Sequence, residues 1–161
     1  MPEDLSTPRR AVLRPAVRIG LGGFILFAGL AHLFTPEAFY AQTPPWLPAR
    51  DAVILVSGGV EIALGLALLG PARLHRPAGW ATAAFLLAVT PGNLYQFLAG
   101  VDGFGLDTPT ARFVRLLGQP LLILAALWGT GAWPQRRSTT DGAERTGDAG
   151  GPGNPGPTLQ A

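Results

Sequence analysis

Ser57-Gly58-Gly59-Val60-Glu61-Ile62-Ala63-Leu64-Gly65 is the stretch on which the reading of this chain turns. It lies inside an apolar run over residues 52–69. A helix needs roughly 20 apolar residues to cross the ~30 Å hydrocarbon of a bilayer, and this run has about that length. One carboxylate, Glu61, stands near its middle. A charge at mid-depth costs about 2.5–3.5 kcal/mol on insertion scales, so it demands a partner, a water-filled cavity or a proton. The glycines beside it permit close approach of a second helix. How many such runs the chain holds sets the fold, and what faces Glu61 sets the function.

Three further runs surround this one. Residues 1–15 are polar, with Pro2, Pro8 and Pro15 and arginines 9, 10 and 14, and read as a loose juxtamembrane segment. The run 17–34 follows and ends at Thr35-Pro36. It is longer than a secretory h-region and no small-x-small site follows it, so it reads as a signal anchor and not as a cleaved leader. The connector 36–50 carries Phe39, Tyr40 and Trp46 among prolines and is too aromatic for a plain solvated loop; it belongs at the headgroup level. The second span stops at Gly70-Pro71, and a turn with Arg73, His75 and Arg76 follows. Pro77 suits the first position of a third span over 78–98. Thr90-Pro91-Gly92-Asn93 reads by itself as a turn, but residues 78–90 would cover only about 20 Å, too little to cross. The third helix is therefore expected to continue past Pro91 with a kink. Thr108 and Pro109 supply an N-cap and first residue for a fourth span, 109–133, with Pro120 as a second kink site. The expected fold is all-α: a polytopic bundle of four transmembrane helices over residues 16–134, with kinked third and fourth helices. Residues 135–161, rich in Gly, Pro, Thr and Asp, lack apolar content and read as a disordered tail.

Composition excludes several functions. Of 161 residues, 48% are hydrophobic and only 14% charged. There is no cysteine, so disulfides, thiolate metal sites and thiol relays are excluded within this chain. The two histidines, His32 and His75, fall on opposite sides of the expected membrane, which argues against a bis-histidine haem. No metal motif, P-loop or dinucleotide fingerprint stands in a usable context. Net charge is +2 and the basic residues, all arginine, are spread among loops, so no nucleic-acid footprint forms. Nine of the twelve arginines lie in the two terminal segments and the 73–76 turn, which places both termini and that turn in the cytoplasm of a multi-pass plasma-membrane protein. Trp80, Trp128 and Trp133 then mark the inner interface, and Tyr40, Trp46 and Tyr95 the outer one.

The strongly polar side chains within the spans gather toward the outer half. His32 ends the first span, Glu61 is central, Asn93 sits in the outer third of the third span, and Arg112, Arg115 and Gln119 share one face of the fourth. The inner half is Leu, Ala, Ile and Gly. A polar pocket open to the outside follows, with His32, Glu61, Asn93, Arg115 and Gln119 as candidates and Glu61 at its floor. Each has a structural reading as well. His32 can be a satisfied interfacial histidine, Asn93 can bond the Leu87 carbonyl freed by Pro91, Arg112 can snorkel, and Gln119 can join helices. Glu61 is either a structural partner of Arg115 or Gln119, or part of a binding or proton site. The Gly59/Ala63 and Ala125/Gly129 spacings read as helix packing.

Gly29-x-x-His32-x-Phe34-x-Pro36, Pro45-Trp46-Leu47-Pro48, Ser57-Gly58-x-x-Glu61, Pro91-x-Asn93 and Arg115-x-x-x-Gln119, in that order and spacing, resemble the DoxX-like family of small four-span bacterial membrane proteins. The resemblance covers roughly residues 18–133. The chain departs from the family where Gly92 replaces a common alanine and Leu117 a common proline. The resemblance implies a four-helix bundle and, for some members, a membrane subunit of a quinone-linked oxidoreductase. The leading expectation is thus a membrane subunit or anchor of a redox complex, at most a non-autonomous part of an oxidoreductase, with quinone as ligand and a redox protein as partner. The alternatives are a small-molecule binding or transport protein and a non-catalytic assembly protein.

Overall fold

The computed structural model describes residues 6–133, and every regular element in it is helical. Four long helices, α1 (Ser6–Phe34), α2 (Arg50–Leu69), α3 (Ala72–Ala99) and α4 (Pro109–Gly129), are joined by a 3-10 helix (Pro36–Gln42), a two-residue turn and a nine-residue loop. Three segments are long and apolar enough to cross a membrane: Val12–Phe34, Arg50–Leu69 and Pro109–Gly129. The tail expected to be disordered lies outside the described residues.

Three boundaries differ from expectation: α4 ends at Gly129 and not at Trp133, and two helices start early. The segment read as loose is helical from Ser6, and α1 runs through Pro15. The extension is anchored by its arginines: Arg18 donates to the Leu68 carbonyl at the end of α2, and the Arg14 guanidinium lies 5.8 Å from the Trp128 ring centroid. The arginine-rich turn is likewise the first turn of α3, which starts at Ala72 and not at Pro77. Pro71 takes the extended N-cap conformation, and His75 Nε2 donates to the Gly70 carbonyl at 2.9 Å, closing the turn. Elsewhere the local chemistry matches. The Thr108 hydroxyl accepts from the Ala111 amide at 3.2 Å, capping α4 ahead of Pro109. Gly100 ends α3 at φ 65°, the left-handed region that glycine enters without penalty. α3 stays helical through Pro91, and α4 through Pro120.

The bundle is built from two hairpins. α1 packs most closely on α2, and α3 on α4; α1–α4 and α2–α3 contacts close the ring, and the diagonal pairs stay apart. Glycine sets the first hairpin's spacing. A Cβ on Gly29 would lie 2.7 Å from the Gly58 carbonyl oxygen, and one on Gly65 would lie 2.8 Å from the Leu26 amide nitrogen. Close backbone approach of this kind holds helices together where lipid is as apolar as leucine and burial alone drives nothing. Gly59, expected at such a contact, has nothing within 4 Å; the interlocking residues are Gly58 and Gly65. Leu21, Ile25, Leu68, Ala78, Leu86 and Ala126 fill the half of the bundle nearer the α2–α3 turn. The half beneath the 3-10 helix is not filled.

Candidate ligand-binding cavity

That unfilled half is a cavity of about 580 Å³, and His32, Glu61, Asn93, Arg115 and Gln119 all line it. Ile25, Leu86 and Leu122 form its base against the apolar core. Trp46, 76% exposed, stands at its rim. All five residues read from the sequence as pocket candidates therefore share one chamber. Their partners differ from those expected.

The α3–α4 wall carries a directional hydrogen-bond chain. Arg115 Nε donates to Asn93 Oδ1 at 3.4 Å, Asn93 Nδ2 donates to Gln119 Oε1 at 2.9 Å, and Gln119 Nε2 donates to the Leu86 carbonyl at 2.8 Å. A guanidinium can only donate and a carbonyl can only accept, so the two ends fix both amide orientations. Asn93 thus serves Gln119 and not the Leu87 carbonyl. The Arg115 guanidinium also sits over the Phe104 ring, 4.7 Å from its centroid, and has no carboxylate within ion-pair distance among the described residues.

The α1–α2 wall carries the acid. Glu61 Oε2 lies 3.1 Å from His32 Nδ1. Neither Arg115 nor Gln119 hydrogen-bonds it, so of the two readings of Glu61 the direct structural pairing is not formed, although all three face the same cavity. The Nδ1–H is already directed to the Ala28 carbonyl at 2.9 Å, one turn back in α1. The His32–Glu61 contact is therefore electrostatic proximity and not a hydrogen bond, and Oε2 is buried with no donor among the described residues. Glu61 as a whole is 9% exposed.

Two aromatics that sequence reasoning missed complete the site: Phe39 lines the cavity, and Phe104 packs behind it without lining it. Phe39, from the 3-10 helix, stacks on the His32 ring at 3.4 Å between centroids, and Phe104 meets Phe39 edge-on at 4.8 Å. Phe104 holds φ 58°, a strained value for a bulky residue, between Gly103 and Gly105. Phe39 was signalled by the aromatic density of its connector; for Phe104 the only signal was a single aromatic flanked by glycines. Arg112, expected to snorkel, instead pairs with Asp102 at 2.6 Å and donates to the Leu106 carbonyl, bracing the α3–α4 loop outside the cavity. Gln96 is buried on α3 with neither amide atom bonded among the described residues, and it does not reach the cavity.

The groups present are hydrogen-bond donors on one wall, acceptors on the other, and apolar surface between. Such a chamber suits an amphiphile with a compact polar ring or head. No cluster of metal-ligating side chains occurs among the described residues. A family model described as a domain of unknown function, DUF8561, matches residues 21–130, and the chain belongs to that family. No curated protein and no solved structure matches it.

Proposed function

We propose that this DUF8561 member is a DoxX-like four-span plasma-membrane protein that binds a quinone-class lipid in its cavity, as the membrane subunit or anchor of a redox complex. α3 completes the set of four spans, with a kink at Pro91 in α3 and another at Pro120 in α4. The polar residues of α3 include Arg73, His75 and Arg76 at one end, and Thr82, Asn93 and Gln96, which are buried inward. Its outward face is apolar, with Leu87 64% exposed, as a lipid-facing surface requires. The arginine distribution favours cytoplasmic termini.

The observation that carries the ligand reading is the single chamber that sets Arg115 and its amide chain opposite the His32–Glu61 pair, within apolar walls. A quinone headgroup needs donors for its oxygens, and a carboxylate or imidazole can exchange a proton with its reduced, dihydroxy form. The isoprenoid tail fits a bundle whose exposed surface is leucine, valine and phenylalanine. The electron source is a partner protein. Purification in mild detergent, followed by extraction of bound lipids and identification of copurifying proteins, tests this. The expected result is a stoichiometric quinone and an oxidoreductase partner; no saturable quinone binding and no redox partner would reject it.

A further inference from the structure

The hydrogen bonds of this bundle stop at the boundary between its two hairpins. Among the described residues, every side-chain hydrogen bond and ion pair lies within residues 6–70 or within 71–133, apart from the His75–Gly70 bond at the turn itself. Where the two hairpins meet around the cavity they do so through packing alone, as Phe39 does with Phe104 and the Gln42 backbone with Gly92. Each wall keeps unspent hydrogen-bonding capacity. On the α1–α2 side it is acceptor capacity: Glu61 Oε2 is buried with no donor among the described residues, and with Nδ1–H committed to Ala28 the His32 ring has Nε2 left to offer. On the α3–α4 side it is donor capacity: Arg115 uses only Nε, leaving its two terminal nitrogens without a hydrogen-bond partner among the described residues.

From this polarity we infer that the cavity selects the reduced, dihydroxy form of its ligand over the oxidised form. The inference rests on the quinone-class reading above. A quinone has two carbonyl oxygens and no donor. Its first oxygen accepts from Arg115, and its second would face the Glu61 carboxylate and His32 Nε2, acceptor against acceptor. A quinol places one hydroxyl oxygen on Arg115 and donates its other O–H to Glu61. It completes the missing link between the hairpins, whereas the quinone leaves a buried acceptor unpaired.

The test is anaerobic titration calorimetry of the full chain in detergent with a decyl-substituted benzoquinone, its quinol and the dimethyl ether of that quinol. A charge-assisted hydrogen bond lost on changing the ligand corresponds to about a tenfold or larger change in affinity. The quinol is expected to bind at least about tenfold tighter than the quinone. The dimethyl ether, which cannot donate, should bind no better than the quinone. In Glu61→Gln, whose amide can donate to a carbonyl, the preference should shrink to about unity or reverse. The ether comparison needs no protein variant, so it decides the matter even if Glu61→Gln fails to fold. Equal affinity, or tighter quinone binding, in the unaltered chain overturns the preference while leaving the quinone reading standing. Binding of neither redox form overturns both.

Discussion

Gln119 is the residue whose loss should cost most for its size. It accepts from Asn93 and donates to the Leu86 carbonyl, and it is 7% exposed. Gln119→Leu keeps the volume but strands the Asn93 amide, at about 1–3 kcal/mol per buried polar group left unsatisfied. Thermal unfolding in detergent should show the loss; an unchanged midpoint would mean that water takes over both bonds. The glycines offer a sharper contrast one residue apart. A Cβ on Gly58 would lie 2.5 Å from His32 Cβ, whereas one on Gly59 meets nothing within 4 Å. Gly58→Ala should destabilise by about 1–3 kcal/mol, the usual cost of overpacking, and displace the His32 ring. Gly59→Ala should be neutral or slightly stabilising, since alanine is the better helix former. Parallel melting curves check the pair, and equal effects would contradict the α1–α2 register.

The 3-10 helix roofs the cavity, and its seat on α3 depends on Gly92. A Cβ there would lie 2.5 Å from the Gln42 carbonyl oxygen, a backbone atom that cannot simply rotate away. Two residues earlier the same end is tied to α2: Tyr40 donates to Asp51, and Arg50 donates to the Tyr40 carbonyl at 2.9 Å. Gly92→Ala should lift the Gln42 end while α1 to α4 stay folded. Hydrogen exchange should then accelerate over residues 36–49 and change little elsewhere; global acceleration would refute a local roof. This close approach also shows where sequence reading ends. Long apolar runs and caps such as Thr108 made the four helices legible, because local propensity and span length are written in consecutive residues. The five cavity residues were legible because polar groups in apolar helices must gather. Which of them pair was not. Glu61 meets His32 and not Arg115 because the Gly29–Gly58 interlock sets the register of α1 on α2, and register is a property of two surfaces together. The roof contacts of Phe39 and Phe104 were hidden for the same reason, the latter depending on a left-handed backbone at Phe104.

At the scale of the whole bundle, topology follows from the ring of antiparallel neighbours. α3 packs against both α2 and α4, each apolar enough to span, and it carries leucine outward along its length. Twenty-eight residues of helix cover about 42 Å at 1.5 Å per residue, more than the ~30 Å hydrocarbon. If α3 crosses with its neighbours, the 3-10 helix and the α3–α4 loop share one side of the membrane, and the α2–α3 turn lies on the other. The chain has no cysteine, so single introduced thiols report position without background. Glu37→Cys and Asp107→Cys replace exposed residues at the roof end, and Arg73→Cys replaces an exposed one at the turn. In intact cells an impermeant maleimide should label positions 37 and 107, and position 73 only after permeabilisation. The expected sign follows from the arginines that crowd the turn end, the end that the positive-inside rule assigns to the cytoplasm. Labelling of 37 but not 107 would leave α3 on one side of the bilayer and reduce the bundle to three crossings. Labelling of 73 alone would invert the protein and turn the cavity toward the cytoplasm.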